Sequence, residues 1–369
     1  MSSGETREPA RSPEQGSTPA AGAPRGQPTT SIRMDAALDE AARRLAEGGL
    51  VAFPTETVYG LGADAENPDA VARIYAAKGR PSNHPVIVHV APDAELSYWA
   101  SSVPPAARAL VQAFWPGPLT LILPRAPGIS AAVSGGQNSI GLRCPAHPVA
   151  QALLGRFAAL NGGHGGVAAP SANKFGQVSP TQAAHVRSEF PELGDDELLI
   201  LEGGPSKVGI ESTIVDLSRL DQGVGPVLLR PGHITEDDLA AVLGVMPSMP
   251  DRAAPQVSGS LKAHYAPRTP LSLVAREDLP EVLQRLAARG ERIAVAVFAP
   301  VPDTPIHGQE LVRLKPCAAD PAQYASELYA LLRELDAEGH DHIILERPPR
   351  TRAWQAVNDR LGRAAAAFE

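Results

Sequence analysis

The strongest constraint on the fold is a stretch without apolar periodicity, residues 246–268, which is rich in proline and serine. That composition is typical of a linker, and regularly patterned sequence lies on both sides of it. A length of 369 residues also favours two domains. We therefore predict a disordered N-terminal extension over 1–32, a first domain over 33–245, a linker over 246–268 and a second domain over 269–369.

The composition argues against several classes of protein. The formal net charge is −8, whereas proteins with a general nucleic-acid or acidic-membrane surface are normally basic. No apolar run is long enough to span a membrane, and residues 1–31 lack the apolar core of a secretory signal. Cys144 and Cys317 are far apart and belong to no CxxC pair. We therefore expect a cytoplasmic protein that neither enters a membrane nor binds nucleic acid tightly.

The pattern of apolar residues predicts an α/β protein. In the first domain, short apolar runs that read as strands are mixed with helices, one of which is expected to begin at Ser179–Pro180. After the linker the alternation is more regular: strand 271–275, helix 278–289, strand 292–298, helix 320–338, strand 342–346 and helix 353–367. Such alternation favours a small parallel α/β domain of about a hundred residues.

A cluster of basic residues follows one well-delimited helix. Asn67 is the predicted N-cap of a helix over 68–78, and Gly79 is its predicted stop. Lys78 falls in the last turn, where a cation is also favoured simply by the helix dipole. Arg80 lies beyond the helix, so the dipole does not explain it. Because Arg and Lys are the usual partners of phosphate groups, we favour a phosphate site here.

Polar side chains also end or interrupt several other apolar segments. Thr57 follows the first strand, His89 lies in a valine-rich strand, and Arg143 lies on an otherwise apolar strand. The remaining candidates are Ser171 and Asn173 in a small-residue loop, Ser212 in a strand and Arg230 at a strand end. Each has an ordinary alternative, such as a turn, a hydrogen-bonded core histidine or a solvated strand end. Their number favours a common binding site.

Several familiar catalytic motifs are missing. The sequence has no P-loop, no dinucleotide-binding glycine motif, no hydrolase nucleophile elbow and no HExxH zinc motif. His340 and His342 flank an aspartate before a strand, and we interpret them as a solvated edge rather than a metal site. No residue stands out as a nucleophile or general base. We therefore predict a site that binds and orients its ligands, without metal ligands from the protein.

The order of the motifs resembles that of a known family. Seven segments occur in the order found in YrdC-like domains: FPTETVYGLGADA, KGRPSNHPVIVHV, PGPLTLIL, GLRCPAHPVA, APSANKFGQVSPT, KVGIESTIVDL and LLRPG. The C-terminal part resembles the second domain of the long threonylcarbamoyl-AMP synthases through HYAP, LYALLRELDAEGHDHIILE and AVNDRLGRAAA. The resemblance covers about residues 35–369 and is most specific over the first domain.

The resemblance implies a fold and a reaction. The expected fold is a YrdC-like twisted open mixed sheet with helices around a positive cavity, followed by a smaller Rossmann-like parallel α/β domain. The implied enzyme is a nucleotidyltransferase that makes L-threonylcarbamoyladenylate and pyrophosphate from L-threonine, bicarbonate or CO2 and ATP, with Mg²⁺. Its product would pass to a tRNA threonylcarbamoyl-transfer complex, which modifies the adenosine beside the anticodon of tRNAs that read ANN codons.

The resemblance also implies roles for individual residues. Lys78 and Arg80 would be the catalytic cations on the ATP phosphates. The other ATP contacts would be His84, Ser139, Ser171, Asn173, Thr181 and Arg230. The threonine contacts would be Thr57, His89, Arg143 and Ser212, with Arg143 on a carboxylate. His264 and Tyr265 of the linker would form a lid over the cavity.

Two other functions compete with the synthase. YrdC-like domains have been associated with binding of double-stranded RNA, but the acidic balance and the lack of basic and aromatic patches argue against it. A related domain occurs in carbamoyltransferases of hydrogenase maturation. Those proteins carry further acylphosphatase-like and zinc-finger segments, for which this chain has neither CxxC pairs nor room.

Overall fold

A computed structural model describes residues 30–300 and 308–369 of the chain, together with Met1. Most of the predicted N-terminal extension therefore lies outside the described residues. Its last three residues, 30–32, are helical and begin the first helix. The limits proposed for the two domains stay predictions.

The first part of the chain is built on a nine-stranded sheet. Its strands are β1 (Leu50–Phe53), β2 (Gly60–Asp64), β3 (Ile87–His89), β4 (Leu119–Pro124), β5 (Ser139–Arg143), β6 (Val167–Ala168), β7 (Leu198–Ile200), β8 (Thr213–Asp216) and β9 (Val227–Arg230). Their order is β7-β1-β2-β6-β3-β5-β4-β8-β9. The pairs β1–β7, β3–β5 and β4–β8 are parallel and the other pairs are antiparallel. The predicted mixed sheet is confirmed.

Helices cover the two faces of this sheet unequally. They are α1 (Thr30–Ala46), α2 (Pro68–Lys78), α3 (Leu96–Trp99), α4 (Pro105–Phe114), α5 (Pro148–Leu160), α6 (Ala183–Glu189) and α7 (Glu236–Leu243). α2, α4, α6 and α7 contribute to the core on one face. α1 and α5 pack together over part of the other face. The rest of that face meets the linker, where Val257 packs on Ile122 and Ile214. This half-covered face is where a site can form.

The C-terminal part has a separate four-stranded sheet. Its elements are β10 (Leu271–Val274), α8 (Leu279–Ala287), β11 (Ile293–Val297), β12 (Val312–Pro316), α9 (Pro321–Ala337), β13 (His342–Glu346) and α10 (Gln355–Ala365). All strand pairs are parallel, in the order β10-β13-β11-β12. The predicted parallel α/β arrangement is confirmed.

Several sequence-based expectations about single elements were wrong or incomplete. The helix expected to begin at Ser179–Pro180 begins at Ala183. The strands β2, β6 and β12 were not predicted. β12 is an edge strand with two charged residues, the exposed Arg313 and the half-buried Lys315, and such strands carry little apolar signal. No helix among the described residues has the length and apolarity that a membrane-crossing segment needs.

Helix α2 begins and ends as its sequence predicts. The Asn67 side chain accepts hydrogen bonds from the Asp69 and Ala70 amides, both at 3.1 Å. Gly79 adopts a left-handed conformation with φ of 64°. The amide of Arg80 then donates to the Tyr75 carbonyl at 2.9 Å, which satisfies the helix end. Gly79 therefore fixes the direction in which the chain carries Arg80 away from the helix.

A Gly79→Ala substitution tests this turn. No heavy atom lies within 4 Å of a Cβ built on Gly79, so the only cost is the left-handed backbone. We expect the free energy of unfolding in urea to fall by about 1 kcal/mol. Gly128→Ala is the matched control, because that site is equally open but has no positive φ. Equal losses in the two variants would contradict the explanation.

Candidate functional site

One cavity lies between the half-covered face of the first sheet and the linker. It brings together nine of the predicted site residues: Thr57, Arg80, His89, Arg143, Ser171, Ser212, Arg230, His264 and Tyr265. They come from seven separate stretches of the chain, so only the fold makes them neighbours. The free volume is about 40 Å³, enough for a few water molecules. In this conformation the cavity is nearly closed.

A linker serine occupies the donors of two arginines. Arg80 donates from Nη2 to the Pro85 carbonyl at 2.6 Å and to Ser258 Oγ at 3.2 Å. Arg230 donates from Nη1 to the Ser258 carbonyl at 2.9 Å. The same guanidinium also donates to the carbonyl and hydroxyl oxygens of Ser212 at 2.9 and 3.0 Å. The backbone and hydroxyl oxygens of Ser258 therefore lie where an anionic ligand would meet both arginines.

A third arginine is held by a carboxylate that the sequence analysis did not include in the site. Arg143 donates to Glu56 Oε1 at 2.7 Å and to the Thr57 hydroxyl at 2.9 Å. Thr57 in turn lies 2.9 Å from the Thr55 hydroxyl, as expected for hydroxyls on one side of an extended segment. All four side chains are buried. The carboxylate partner that Arg143 requires is thus internal, and it fixes the guanidinium at the cavity wall.

Some buried hydrogen-bonding atoms around the cavity have no partner among the residues that the structure describes. They are Arg80 Nε, Arg143 Nε, His264 Nδ1 and the Tyr265 hydroxyl. An unpaired buried polar group costs free energy, and a charged one costs more. These atoms therefore mark places where a ligand or a water molecule would be stabilised.

Burial disfavours the charged forms of the basic groups. Burial, with a smaller contribution from Arg230, lowers the pKa of Arg80 to about 10, while Tyr75 and Tyr265 oppose this shift. Burial and Arg80 lower the pKa of Lys78 well below its usual value. Burial also lowers the pKa of Arg230. An anion in the cavity would offset these effects by favouring every charged form at once.

The Lys78 ammonium bonds carbonyls of a distant loop rather than the carbonyls at the end of its own helix. Its side chain is 3% exposed, and its ammonium donates to the carbonyls of Ser171 at 2.7 Å and Asn173 at 2.5 Å. The Asn173 amide is turned toward the carbonyls of Lys174 and Gln177. Lys78 therefore fastens the small-residue loop beside the cavity. Its predicted contact with phosphate stays a prediction.

Three other predicted residues are outside the cavity lining. Ser139 lines a small adjoining cavity that Ser258 also lines. The His84 ring lies edge-on to the Phe175 ring, with 5.4 Å between centroids. Thr181 lines a larger cavity between the two parts of the chain, of about 500 Å³. Of these three residues, His84 is near an arginine, and burial and the charge of Arg80 lower its pKa.

The two linker residues are held tightly at the edge of the site. Tyr265 is 1% exposed and, among the described residues, is the one non-glycine residue with a positive φ, at 62°. Its hydroxyl lies so close to Gly259 that a Cβ there would be 2.0 Å away. The His264 ring lies 4.1 Å from the Tyr265 ring, between centroids. Burial is the main cause that lowers the pKa of His264 to about 3.

A carboxylate and an arginine that the sequence analysis missed complete the surroundings. Glu211 lines the cavity and bonds Arg360 of α10 at 2.8 Å. Burial acts to raise the pKa of Glu211, but Arg360, Arg230 and a hydrogen bond from Ser179 outweigh it and lower the pKa to about 2. Ser212 was expected within a strand, but β8 begins one residue later, at Thr213. An acid directly before Ser212 was a usable signal. Neither Ser258 nor Arg360 has a local signal, because their partners are distant in sequence.

Comparisons with known proteins show which family the chain belongs to. A Sua5, YciO and YrdC family model, described as telomere recombination, matches residues 43–232. A second model, described as the C-terminal domain of threonylcarbamoyl-AMP synthase, matches residues 234–366. Threonylcarbamoyl-AMP synthase of Bacillus subtilis is 40% identical over 339 residues, covering 90% of this chain and 93% of that protein. The chain belongs to the threonylcarbamoyl-AMP synthase family. The resemblance inferred from the motifs is therefore confirmed.

Other members of the family match over similar lengths. Threonylcarbamoyl-AMP synthase of Pyrococcus abyssi is 34% identical over 336 residues, covering 88% of this chain and 93% of that protein. The crystal structure of P. abyssi Sua5 complexed with L-threonine matches with a TM-score of 0.77 and 33% identity, covering 90% of this chain and 94% of that chain. A P. abyssi Sua5 variant with a histidine and the following tyrosine replaced by alanine matches with the same TM-score.

The pKa of His89 gives a test of the site's burial. Burial, with a smaller contribution from Arg143, lowers this pKa from 6.5 to about 3. Below pH 6.5 the unfolded chain takes up a proton at this residue and the folded chain does not. Through His89, the free energy of unfolding should therefore fall by about 1.4 kcal/mol per pH unit as the pH falls from 6.5 toward 3. The difference in unfolding free energy between wild type and His89→Gln, measured at pH 7, 6 and 5, should change by this amount below pH 6.5. A difference that is constant with pH would contradict it.

Proposed function

We propose that this chain synthesises L-threonylcarbamoyladenylate. The amine of L-threonine combines with CO2 or bicarbonate to form a carbamate. A carbamate oxygen then attacks the α-phosphorus of ATP, and pyrophosphate leaves. Membership of the family supports this reaction. The observation that carries it is the convergence of three buried arginines, two of them with an unpaired Nε, on one cavity.

The charges of the reactants explain why such a site would need several cations. A carbamate is an anion and must approach a triphosphate, which carries more negative charge. Fixed basic groups in a water-excluded cavity screen this repulsion and stabilise the charge that builds up on the phosphate oxygens in the transition state. No step requires a covalent bond to the protein, which agrees with a site without an evident nucleophile.

The nucleotide would lie along the Arg80 and Arg230 side of the cavity. In our proposal, these arginines bind phosphate oxygens that replace the oxygens of Ser258. Ser171 and Asn173 of the loop fastened by Lys78 would meet the nucleotide, and Ser139 would join them once the linker moves. Contacts of His84 and Thr181 with ATP, and a direct contact of Lys78 with phosphate, stay predictions.

Threonine would lie on the opposite side, beside Arg143. The Arg143 Nε, which is buried and unpaired, is available for the substrate carboxylate, while Glu56 and Thr57 fix the guanidinium. His89 and Ser212 would complete this side of the pocket. The L-threonine complex of P. abyssi Sua5, a protein of the same fold over most of its length, supports L-threonine as the amino acid.

Mg²⁺ would enter as part of the substrate, on the phosphates of ATP. Among the described residues, no group of three or more His, Cys, Asp or Glu side chains could hold a metal ion. The carboxylates of Glu56 and Glu211 at the cavity are already bonded to Arg143 and Arg360. The chain's own contribution would therefore be to hold the phosphates that carry the ion.

The linker would act as a lid. Ligand pockets usually have volumes of about 300–1,000 Å³, so a cavity of about 40 Å³ must open before ATP and threonine enter. The sequence contains one His-Tyr pair, His264 and Tyr265, and both line the cavity. The structure of a P. abyssi Sua5 variant in which a histidine and the following tyrosine are replaced by alanine supports a functional role for such a pair.

The setting of the reaction follows from the product. An adenylate is a reactive acyl donor, and we propose that it passes to a tRNA threonylcarbamoyl-transfer complex. The enzyme itself would not need to hold tRNA tightly, which suits a net charge of −8. We propose the cytoplasm as the location, which two free cysteines support. We also propose the limits 33–245, 246–268 and 269–369 for the catalytic domain, the lid-bearing linker and the second domain.

Pyrophosphate release tests the reaction directly. With ATP, Mg²⁺ and bicarbonate, we expect pyrophosphate to be released when L-threonine is added. Release with alanine or serine in its place should be much slower. Arg80→Ala and Arg143→Ala should each lower kcat/KM by at least about a hundredfold, because each removes a charge that stabilises the bound anions.

Arg156→Ala is the control for the loss of an arginine. This side chain joins α5 to Asp35 and Asp39 of α1 and is remote from the cavity lining, so activity should stay close to wild type. Equal activity with alanine would contradict the threonine assignment. Tight RNA binding without any ATP-dependent product would contradict the synthase itself.

A further inference from the structure

The C-terminal part of the chain reaches the candidate site through one buried arginine. Arg360 of α10 is fully buried. Its Nε donates to Glu211 Oε2 at 2.8 Å, and its Nη2 donates to the Glu211 carbonyl at 3.3 Å. Its Nη1 donates to the Pro231 carbonyl at 3.0 Å. A surface ion pair would contribute little, but a fork of hydrogen bonds in a buried setting holds its partners in one geometry.

The partners of Arg360 are the chain neighbours of site residues. Glu211 directly precedes Ser212, and Pro231 directly follows Arg230. The same guanidinium lies over the Tyr265 ring, 5.4 Å from its centroid. One side chain thus contacts the chain neighbours of Ser212 and Arg230 and the ring of the lid residue Tyr265.

Two further contacts strengthen this connection. The Tyr329 hydroxyl of α9 donates to Glu211 Oε2 at 2.8 Å, and Ser179 donates to Oε1 at 2.6 Å. α10 also holds the linker backbone, because the His264 amide donates to the Arg363 carbonyl at 3.1 Å. Tyr265 keeps its left-handed backbone inside this set of contacts. Such a conformation costs free energy for a residue with a Cβ and persists only where its surroundings impose it.

We propose that Arg360, Glu211 and Tyr329 form an interdomain latch that positions Tyr265, Ser212 and Arg230 for the reaction. The three latch residues are positioning residues, and the reacting atoms would be met by the groups they hold. The inference rests on the proposed function for its kinetic consequences and on the geometry alone for its structural ones. It gives the second domain a specific part in the active site.

Tyr329→Phe is the variant that tests the latch with least damage. It removes one hydroxyl and leaves the ring in the core, so the protein should fold. We expect amide hydrogen exchange at His264 and Ala266 to become about tenfold faster, as for loss of a hydrogen bond to a charged acceptor. We expect kcat with ATP and L-threonine to fall by about the same factor, measured at a temperature where the variant is fully folded.

Tyr324→Phe is the matched control on the same helix. Tyr324 is also buried in α9, but its ring packs on Phe298 and Trp354, away from Glu211. It should change global stability without changing linker exchange or kcat. Arg360→Lys keeps the charge and loses the fork, and should show both effects of Tyr329→Phe at least as strongly.

The outcomes separate the latch from the proposed reaction. Linker exchange needs no substrate, so an inactive wild type would contradict the synthase while leaving the latch open to this measurement. Faster exchange at His264 and Ala266 in Tyr329→Phe alone, with a lower kcat, would support the latch. Exchange and kcat that match those of Tyr324→Phe would overturn it.

Discussion

The central constraint on this protein is the burial of three arginine side chains around one small cavity. Arg80, Arg143 and Arg230 are each less than 10% exposed, and burial of charge is costly unless partners compensate for it. Arg143 has Glu56 as its partner, and Arg230 is near Glu211 without bonding it directly. Within the described part of the chain, Arg80 bonds a carbonyl and a hydroxyl oxygen and no carboxylate. The site is therefore built for an additional negative charge.

The fold can be understood as the means of gathering these cations. Gly79 turns the chain after α2 so that Arg80 leaves the helix and faces the sheet. Arg143 and Arg230 lie at the ends of β5 and β9. The linker closes the face that α1 and α5 leave open, and Ser258 offers oxygen atoms to two of the arginines. In our account the linker and the nucleotide use the same donors in turn, and the buried pair of Glu211 and Arg360 sets where the linker rests.

The elements that could be predicted from the sequence are those set by residues close together in the chain. Helix α2 was predicted from its cap, its stop and its apolar stripe, and each of these is a contact within a few residues. The parallel second sheet followed from regular alternation, and Arg80 stood out because no local structure explains it. Strand β12 was not predicted because it lies at the sheet edge and carries charged residues. Strand β6 was not predicted because it is only two residues long.

Long-range contacts explain most of what was missed. Lys78 resembled a helix cap or a phosphate ligand, but its ammonium meets carbonyls about 95 residues away in sequence. Glu56 was not predicted as a site residue, because its pairing with Arg143 depends on the fold of the sheet. Ser258 and Arg360 lie in a linker and a terminal helix, where a serine or an arginine is ordinary. A resemblance to a family can assign roles to residues, but these pairings needed coordinates.

The central claim is that the linker and the nucleotide use the same hydrogen-bond donors of Arg80 and Arg230. Its most direct test is the affinity for MgATP in the absence of threonine, measured by titration calorimetry. Ser258→Ala removes the hydroxyl that contacts Arg80 and the Pro85 carbonyl. Ser260→Ala, in the same linker, removes a hydroxyl that bonds the Val257 carbonyl at 2.8 Å and contacts neither arginine. Loss of a competing hydrogen bond predicts that MgATP binds about fivefold more tightly to Ser258→Ala than to wild type, with no change in Ser260→Ala. Equal affinities in the two variants, or no binding of MgATP to the wild type, would contradict the account.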